Sequence, residues 1–307
     1  MTHKKIILAG GNGYLGRVFA DYYKTRADRI IILSRKPWPV AGNCETVVWD
    51  GETTGGWVQQ LEGADLLINL CGKNVNCRYN EANRAEIISS RLNPTRLLGA
   101  AIRKLEQPPA LWINVTSATI YRHAEDRPQD ETGGEEGAGF SVDVCRQWEQ
   151  SFFNETTSGT RKVALRMGIV LGKSDGVFPR LRNLVLLGMG GKHGNGRQMV
   201  SWIHELDAAR CTEWLLNQTT EGIYNCTAPQ PINNAALMTT IRKAYGIPAG
   251  MPAPAWLLEI GARLIGTETE LMLKSRWVLP ARLQDEGFRF QYPDIKSAVY
   301  DIVKSKQ

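Results

Sequence analysis

The start of the chain passes from an apolar run through glycines into a helical pattern. Ile6–Ala9 is a short apolar run, too short for an isolated helix, and glycines follow it directly. From Tyr14 to Tyr23, large apolar side chains recur every three or four residues, as on one face of a helix. This pattern predicts a strand, a tight glycine turn and an amphipathic helix.

Similar apolar runs and helical patterns alternate further along the chain. Four more strands are predicted at Arg29–Leu33, Thr46–Trp49, Asp65–Leu70 and Leu111–Val115, with a long helix at Ala82–Leu105. The run at Asp65–Leu70 is typical of a parallel sheet that is buried on both faces. Strands that alternate with helices predict an α/β fold built on a Rossmann-type, doubly wound parallel sheet.

After Gly172 the pattern is looser and mostly helical. Helices are predicted at Ala208–Asn217, Asn234–Tyr245, Trp256–Ile265, Thr269–Leu273 and Pro293–Val303. We therefore predict a smaller, mostly helical C-terminal domain on the substrate side of a cleft. The Rossmann domain is assigned residues 1–172, with 198–228 returning to it, and the smaller domain residues 173–197 and 229–307.

The glycine turn has the composition of a dinucleotide cradle. Gly10, Gly11, Gly13 and Gly16 supply a turn with positive φ and a backbone that a pyrophosphate approaches without meeting a Cβ atom. The helix that follows would point its N-terminal N–H groups at the anion, so Asn12, Tyr14 and Leu15 are assigned to the same site. The alternative is an ordinary glycine-rich turn between a strand and a helix.

The end of the second strand indicates which dinucleotide is bound. NAD sites usually place an acid there, whereas this chain has Ser34, Arg35 and Lys36, with no acid before Glu45. Guanidinium groups pair well with phosphates, so we predict NADP(H), with a solvated basic loop as the alternative. Asp50, after the third strand, is predicted either to reach the adenine edge or to cap the next segment.

Composition and charge are those of an enzyme-sized globular protein. The net charge of +6 comes from scattered Lys and Arg residues, which disfavours nucleic acid as a partner. Six cysteines without metal-ligand spacing indicate reduced thiols and no metal site, and no stretch approaches the length of a membrane span. We expect a cytoplasmic monomer or homodimer that acts on a small molecule.

The stretch after the fifth strand, Ser117-Ala118-Thr119-Ile120-Tyr121, combines with the glycine pattern into a specific resemblance. Together they resemble the extended short-chain dehydrogenase/reductase superfamily, a group of sugar-nucleotide epimerases and dehydratases. The resemblance implies that Ser117 polarises the reacting carbonyl or hydroxyl group. It also matches Asn93 to the helix asparagine of these enzymes and 163–172 to the strand near the nicotinamide.

Several remaining residues are assigned to the cofactor site from these elements. They are Leu70, Cys71 and Gly72 at the end of the fourth strand, Thr116 before the serine, and Gly168 and Val170 in the nicotinamide strand. The motifs Gly194–Asp207, Asn225–Pro231, Val278–Leu283 and Glu286–Pro293 are similar to the YfcH-like branch of nucleoside-diphosphate-sugar epimerases, which has its own C-terminal domain. Arg197 and Trp202 in the first of these motifs are candidate substrate contacts, as is Arg276.

The chain departs from the superfamily at its acid/base pair. Active members carry Y-x-x-x-K on the helix after the serine, and the lysine lowers the pKa of the tyrosine. With Trp148-Glu149 as the register, Ser141 stands at the tyrosine position and Cys145 at the lysine position. These two side chains do not reproduce the acid/base pair, because a serine alkoxide is inaccessible near neutral pH and the cysteine is expected to be buried. The standard mechanism of the superfamily therefore does not transfer intact.

Three replacements for the acid/base pair remain open. Tyr121 offers a phenol beside Ser117, unless it is a packing aromatic at the end of the strand. Cys145 offers a thiol, unless it is a small core residue. Alternatively, water and substrate groups carry the protons.

Two functions are therefore compatible with the sequence. The first is an NADP(H)-dependent oxidoreductase, epimerase-like or dehydratase-like, which acts on an unidentified hydroxyl or carbonyl compound, with nucleotide sugars as one candidate class. The second is a catalytically degenerate protein that binds NADPH as a sensor or scaffold. The missing tyrosine and lysine favour the second function, and Ser117 with Asn93 favours the first.

Overall fold

Seven parallel strands form the central sheet of the structure, a computed structural model that describes residues 3–37, 39–254 and 274–304. The strands of the protein are β1 (His3–Ala9), β2 (Ala27–Ser34), β3 (Cys44–Val48), β4 (Leu66–Asn69), β5 (Leu111–Ser117), β6 (Arg161–Met167), β7 (Ile169–Leu171), β8 (Met199–Val200), β9 (Trp202–His204), β10 (Gly222–Cys226) and β11 (Ile232–Asn233). The sheet has the spatial order β3-β2-β1-β4-β5-β6-β10. This confirms the Rossmann-type sheet predicted from the sequence.

Helices cover both faces of this sheet, and three of them form a separate core beside it. They are α1 (Tyr14–Tyr23), α2 (Glu81–Ile102), α3 (Phe140–Asn154), α4 (Phe178–Leu186), α5 (Glu205–Leu216), α6 (Asn234–Ala244), α7 (Ala281–Asp285) and α8 (Ile295–Lys304). Phe19 of α1 and Leu215 of α5 lie in the core on one face, and Leu98 of α2 and Phe152 of α3 in the core on the other. The two cores explain why the strands are apolar on both sides.

The strand β1 shows how the sequence produces this arrangement. Ile6 and Leu8 pack into the core of one face, while Ile7 and Ala9 pack into the core of the other. All four side chains are fully buried. The continuous apolar run is therefore the signature of a central parallel strand.

The chain reverses its direction of travel across the sheet between β1 and β4. From β1 it proceeds outward to β2 and β3, and then returns to β4, β5 and β6 on the other side of β1. Sheets of this kind bind ligands in the crevice at the carboxyl ends of the strands, where the order reverses. Gly10 after β1 and Leu70 after β4 stand at this place, and the Leu70 N–H donates to Ala9 O at 2.8 Å.

A further core forms beside the sheet from the C-terminal part of the chain. It contains Phe178 and Val185 of α4, Met238 of α6 and Val299 of α8. The helix α4 was missed from the sequence although Phe178, Leu181 and Val185 repeat at helical spacing, because the neighbouring glycines suggested irregular structure. The short helix α7 was also missed.

Two other predictions differ from the structure or fall outside it. The predicted strand 163–172 is divided into β6 and β7, because at Gly168 the chain leaves the central sheet and β7 pairs with β9. A Cβ atom on Gly168 would lie 2.8 Å from Ser201 O, so only glycine fits this crossing. The helices predicted at Trp256–Ile265 and Thr269–Leu273 lie outside the described residues.

The structure bears on the remaining expectations from composition. All six cysteines are free thiols. In the described part of the chain no group of three His, Cys, Asp or Glu side chains is arranged to hold a metal ion. No described helix combines the length and the apolar composition needed to cross a membrane.

Candidate functional site

In the glycine turn after β1, neighbouring atoms occupy the space that side chains would otherwise fill. Gly10 has φ +73°, and a Cβ atom on it would lie 2.9 Å from Cys71 Sγ. On Gly11 a Cβ atom would lie 2.8 Å from Leu8 Cβ, and on Gly16 it would collide with the Gly11 carbonyl group. These three glycines let α1, β1 and the end of β4 approach one another closely.

Gly13 differs from these three glycines, because its missing side chain leaves open space. Apart from the chain neighbours of Gly13, Gly10 O is the only heavy atom of the described residues within 4 Å of a Cβ placed there, at 4.0 Å. Gly13 is the N-cap of α1 and supplies no side-chain cap, and the first helical bond runs from Arg17 N–H to Gly13 O. The N–H groups of the first turn therefore lie beside open space, the arrangement in which the start of a helix binds a phosphate.

The side chains around the turn have other partners. Tyr14 donates its hydroxyl to Glu205 Oε2 at 2.6 Å, above Gly172, where a side chain would collide with both groups. Leu15 packs against the core of its face of the sheet, and Asn12 is exposed. Tyr14 and Leu15 thus offer main-chain rather than side-chain groups to a ligand.

Two cations, Arg35 and Lys36, directly follow the end of β2. Arg35 and Lys36 are exposed and form no ion pair within the described residues. Ser34 is buried, and its Oγ accepts from Lys36 N–H at 3.4 Å. Arg35 lies close enough to the Cys71 thiol, next to Gly10, to lower the pKa that burial raises. The cations are thus near the glycine turn and open to solvent.

Asp50 adopts the local role that was its alternative in the sequence. Its Oδ1 accepts from the N–H groups of Glu52 and Thr53 at 2.8 Å, and its Oδ2 from the Thr53 hydroxyl at 2.6 Å. These donors lower the pKa of Asp50 to about 2. The carboxylate caps the turn that follows it.

The end of β4 and helix α2 form the floor of the crevice. Cys71 donates its N–H to Asn69 Oδ1, and burial raises the pKa of its thiol to about 12. Gly72 lies against the Arg91 guanidinium, since a Cβ atom there would be 3.1 Å from the guanidinium carbon. Asn93 is half-buried, and its amide has no hydrogen-bond partner among the described residues.

Ser117 belongs to a hydroxyl pair at the end of β5. Its Oγ is 3.0 Å from Thr119 Oγ1 and accepts from Thr119 N–H at 3.2 Å. A distant segment of the chain holds Thr119 from the other side, since Arg276 Nε donates to its Oγ1 at 3.3 Å and Lys274 Nζ to its carbonyl at 3.1 Å. Ser117 is therefore linked through Thr119 to two cations from the C-terminal part.

A buried ion pair supports this edge of the sheet from below. Arg166 donates Nε to Glu149 Oε1 at 2.9 Å and an η nitrogen to Oε2 at 2.7 Å, and both side chains are less than a tenth exposed. Thr116 donates its hydroxyl to the same carboxylate at 3.0 Å. Thr116 thus uses its side chain in the core rather than in the crevice.

The phenol of Tyr121 is part of the same network. Its oxygen accepts from Arg166 at 2.8 Å and donates to Asn225 Oδ1 at 3.1 Å, and the residue is 2% exposed. Burial raises the pKa of the phenol above its usual value. Tyr121 is thus placed as the packing aromatic that was its alternative.

Cys145 is similarly enclosed. It lies in a small core with Ala118, Ile120 and Val142, and burial raises the pKa of its thiol to about 12. The thiolate is therefore disfavoured near neutral pH. This placement agrees with the alternative reading of Cys145 as a small core residue.

The remaining predicted residues are divided between crevice and core. Val170 in β7 is half-buried against the core of α1 and α5. Arg197 is 77% exposed and lines an open cavity of about 470 Å³ with Glu125, Asp126 and Met199. Trp202 was wrongly chosen as a substrate contact, because it is fully buried in the C-terminal core and donates Nε1 to Gln230 O at 3.1 Å.

Sequence reasoning did not single out Thr119, Lys274 or Arg91. The hydroxyl pair was visible in the motif at Ser117, where Thr119 stands two residues later. No local signal marks Lys274 or Arg91, because each reaches the site only through tertiary packing.

Comparison with known proteins agrees with this architecture. The profile described as the NAD dependent epimerase/dehydratase family matches residues 6–227, and a domain of unknown function (DUF1731) matches residues 253–302. The epimerase family protein SDR39U1 of Bos taurus is 31% identical over 305 residues, which span 97% of this chain and 99% of that protein. The epimerase family protein YfhF of Bacillus subtilis is 29% identical over 98% of this chain and 99% of its own length.

One solved structure also extends over the whole fold. The crystal structure of human SDR39U1 (isoform 2) with NADPH superimposes with a TM-score of 0.87 at 28% identity, covering 98% of this chain and 100% of that chain.

Proposed function

Because the chain belongs to the NAD dependent epimerase/dehydratase family, we propose that it binds NADP(H) and transfers hydride to or from a small hydroxyl or carbonyl compound. The observation that carries the proposal is the open space at Gly13, which a Cβ atom would enter and which lies beside the start of α1, where no side chain caps the helix. This cradle, the neighbouring Arg35 and Lys36, and a relative solved with NADPH all support the same cofactor.

Each part of the cofactor has a group to hold it. The main chain of 10–16 would bind the pyrophosphate, and Arg35 and Lys36 the 2′-phosphate of the ribose. Leu70, Cys71, Gly72 and Asn93 would line the floor, with Gly168, Val170 and the main chain of Thr116 toward the nicotinamide. When bound, the dinucleotide supplies or accepts the hydride.

The hydroxyl pair would act on the substrate oxygen. In our proposal the Ser117 hydroxyl, which donates to Thr119 Oγ1 in the structure, turns to donate to the reacting oxygen, while the Thr119 N–H still donates to Ser117 Oγ and holds it in place. Arg276 Nε places a positive charge at the far end of this pair. A preorganised donor of this kind stabilises negative charge that develops on a carbonyl oxygen.

The experiment has a binding arm and a turnover arm. NADPH and NADH are titrated into the protein by the fluorescence of the reduced nicotinamide, and oxidation of NADPH is then followed with sugar nucleotides, aldehydes and quinones. We expect NADPH to bind more tightly than NADH and at least one carbonyl compound to be reduced. The absence of NADPH binding would refute the proposal.

The second candidate function is an NADPH sensor or scaffold without turnover. Its support is that Tyr121 and Cys145, the two side chains that offered a replacement for the missing acid/base pair, are both buried and held in core contacts. Tight NADPH binding with no oxidation by any compound in the panel would favour this function over the enzyme.

The remaining elements of the proposal concern organisation. We propose residues 1–172 with 198–228 as the cofactor domain, and residues 173–197 with 229–307 as the substrate domain. The core of α4, α6 and α8 supports this division. A cytoplasmic monomer or homodimer that does not bind nucleic acid is part of the same proposal, and sedimentation of the purified protein tests the assembly.

A further inference from the structure

The reduction proposed above needs a proton donor near Ser117, and the structure gives Tyr121 and Cys145 other roles. Both pack among Ala118, Ile120 and Val142 in the small core at the end of β5. The remaining candidate donors lie on the other elements that pack against α3. Helix α2 makes the most extensive contact with α3, and the loop before α2 adjoins the start of α3.

Arg91 of α2 is a half-buried cation at this contact. Its guanidinium lies 5.1 Å from the ring centre of Trp148 and touches Gly72 at the crevice floor. It donates to the main-chain oxygens of Ile87 at 2.9 Å and Lys73 at 3.2 Å, and no described carboxylate pairs with it. A half-buried cation without a counter-charge is only partly solvated, so an anion formed beside it would be stabilised.

Tyr79 lies directly before α2, next to the N-cap residue Asn80. Its ring packs edge-on against Phe140, with the ring centres 5.0 Å apart, and Arg84 Nε donates to its carbonyl oxygen at 2.8 Å. The residue is half-buried, and its phenol lies within Coulombic range of Arg91. The loop thus places a phenol on the same side of α3 as the Arg91 cation.

These contacts fall at the two positions on α3 where the acid/base pair is missing. Phe140, which Tyr79 contacts, precedes Ser141 at the tyrosine position. Trp148, which Arg91 covers, lies one turn beyond Cys145 at the lysine position, and Arg91 is within Coulombic range of the Cys145 thiol. The small side chains of Ser141 and Cys145 leave both functions to groups from the neighbouring element.

We propose that Tyr79 is the proton donor of the reaction proposed above, and that Arg91 is the positioning residue that stabilises the phenolate of Tyr79. In the reductive direction the carbonyl carbon gains hydride, and the electron pair of the C=O π bond moves to oxygen. This oxygen forms a bond to the phenolic proton of Tyr79 as the tyrosine O–H bond breaks, and water then returns a proton to the phenolate. In the oxidative direction the phenolate accepts the proton.

The charged groups around the pair act in the same direction. From α2, Arg91 brings positive charge to the phenol, while Arg84 donates to the Tyr79 carbonyl and lies over the Phe140 ring. From α3, Cys145 faces Arg91 as a neutral thiol, because burial raises its pKa to about 12. Behind Cys145, Lys274 adds a further cation, and the charge of Glu149 is balanced by Arg166.

The test measures the phenol itself, because the substrate is unidentified. The near-ultraviolet absorbance of phenolate is followed from about pH 6 to 9 in the NADP⁺-loaded protein. Seven of the nine tyrosines have a pKa raised by burial, so a phenolate formed below pH 9 stands out from the others (Tyr14, Tyr22, Tyr23, Tyr121, Tyr224, Tyr245 and Tyr292). The variants are Y79F, R91M and R91K, with Y300F on α8 as the matched control.

We expect one phenol in wild type and in Y300F to titrate at least one unit below the usual tyrosine pKa of about 10. This step should disappear in Y79F, move up by at least one unit in R91M and return in R91K. A wild type without such a step, or a step that survives in Y79F, overturns the inference. So does a step that R91M leaves in place.

The turnover panel separates this inference from the proposed function on which it rests. With a compound that wild type reduces, Y79F should lower kcat by about 10² to 10⁴ with little change in KM. Full activity in Y79F would reject Tyr79 as the donor while the proposed oxidoreductase stands. If a phenol titrates below pH 9 but no compound is reduced, the proposed oxidoreductase would be rejected. The interaction of the Tyr79 phenol with Arg91 would still stand.

Discussion

The cofactor cradle and the wall around Ser117 lie at the same edge of the sheet but are built in opposite ways. The cradle comes from one stretch, Gly10–Gly16, and uses main-chain N–H groups and missing side chains. The wall collects side chains from β5, α2, α3 and the segment at 274–276. A local motif therefore specifies the cradle, whereas tertiary packing specifies the wall.

The largest expected effect concerns the buried pair beneath the wall. Replacing Arg166 with Met leaves the Glu149 carboxylate buried with only the Thr116 hydroxyl as donor. Removing one partner of such a pair destabilises a protein by about 3–5 kcal/mol. We expect a loss of this size in urea unfolding.

The exposed pair of Arg29 and Glu45, on the cradle side of the sheet, provides the control. Both side chains are more than 40% exposed, so E45Q should lower the free energy of unfolding by less than about 1 kcal/mol. Equal losses in R166M and E45Q would show that the wall does not depend on its buried network.

The second prediction separates folding from binding within the cradle. On Gly16 an alanine Cβ collides with the Gly11 carbonyl, so G16A should destabilise the fold by about 1–3 kcal/mol and weaken NADPH binding. On Gly13 the Cβ meets open space, so G13A should change unfolding by less than about 1 kcal/mol. G13A should nevertheless raise the Kd for NADPH at least tenfold, because the methyl group would enter the open space at the start of α1 that the phosphate is proposed to occupy.

Parallel measurements of urea unfolding and NADPH fluorescence check this pair of variants. If G13A bound NADPH with the affinity of wild type, the open space at Gly13 would not be the phosphate site.

This contrast also explains which features were predictable from the sequence. The strand and helix bounds around 6–23 follow from apolar periodicity, and the glycines carry their own conformational signal. Arg276 and Thr119 are 157 residues apart along the chain, and no periodicity brings them together. Trp202 was misassigned because an aromatic residue in a loop-like motif gives no sign of whether it packs inward.

The third prediction tests the cofactor preference at the end of β2. R35D replaces an exposed cation beside the crevice with an anion, so it should weaken NADPH about 10- to 100-fold and NADH much less. K104D, between the end of α2 and the start of β5 and thus at the opposite edge of the sheet, makes the same change of charge at an exposed position and should change neither affinity. Equal losses of NADPH and NADH affinity in R35D would refute the assignment of Arg35 to the 2′-phosphate.

The smallest effect is a pH dependence that belongs to the C-terminal part rather than to the cradle. His193 and His204 are almost fully buried, and burial lowers the pKa of each below its usual 6.5. Asp301, near His204, opposes this shift without reversing it. Below pH 6.5 these histidines bind protons in the unfolded chain but remain neutral in the folded protein. Their contribution to stability is therefore fully present above that pH and is lost as the pH falls. Each histidine contributes at most about 1.4 kcal/mol per pH unit.

Urea midpoints measured from about pH 7.5 to 5.5 check this direction. H193Q removes one of the two groups, so its stability should decline less steeply below pH 6.5 than that of wild type. Because the cradle contains no histidine between Gly10 and Gly16, G13A should follow the wild-type pH profile. A wild type whose stability increased on acidification would mean that these histidines are charged in the folded protein, contrary to their burial.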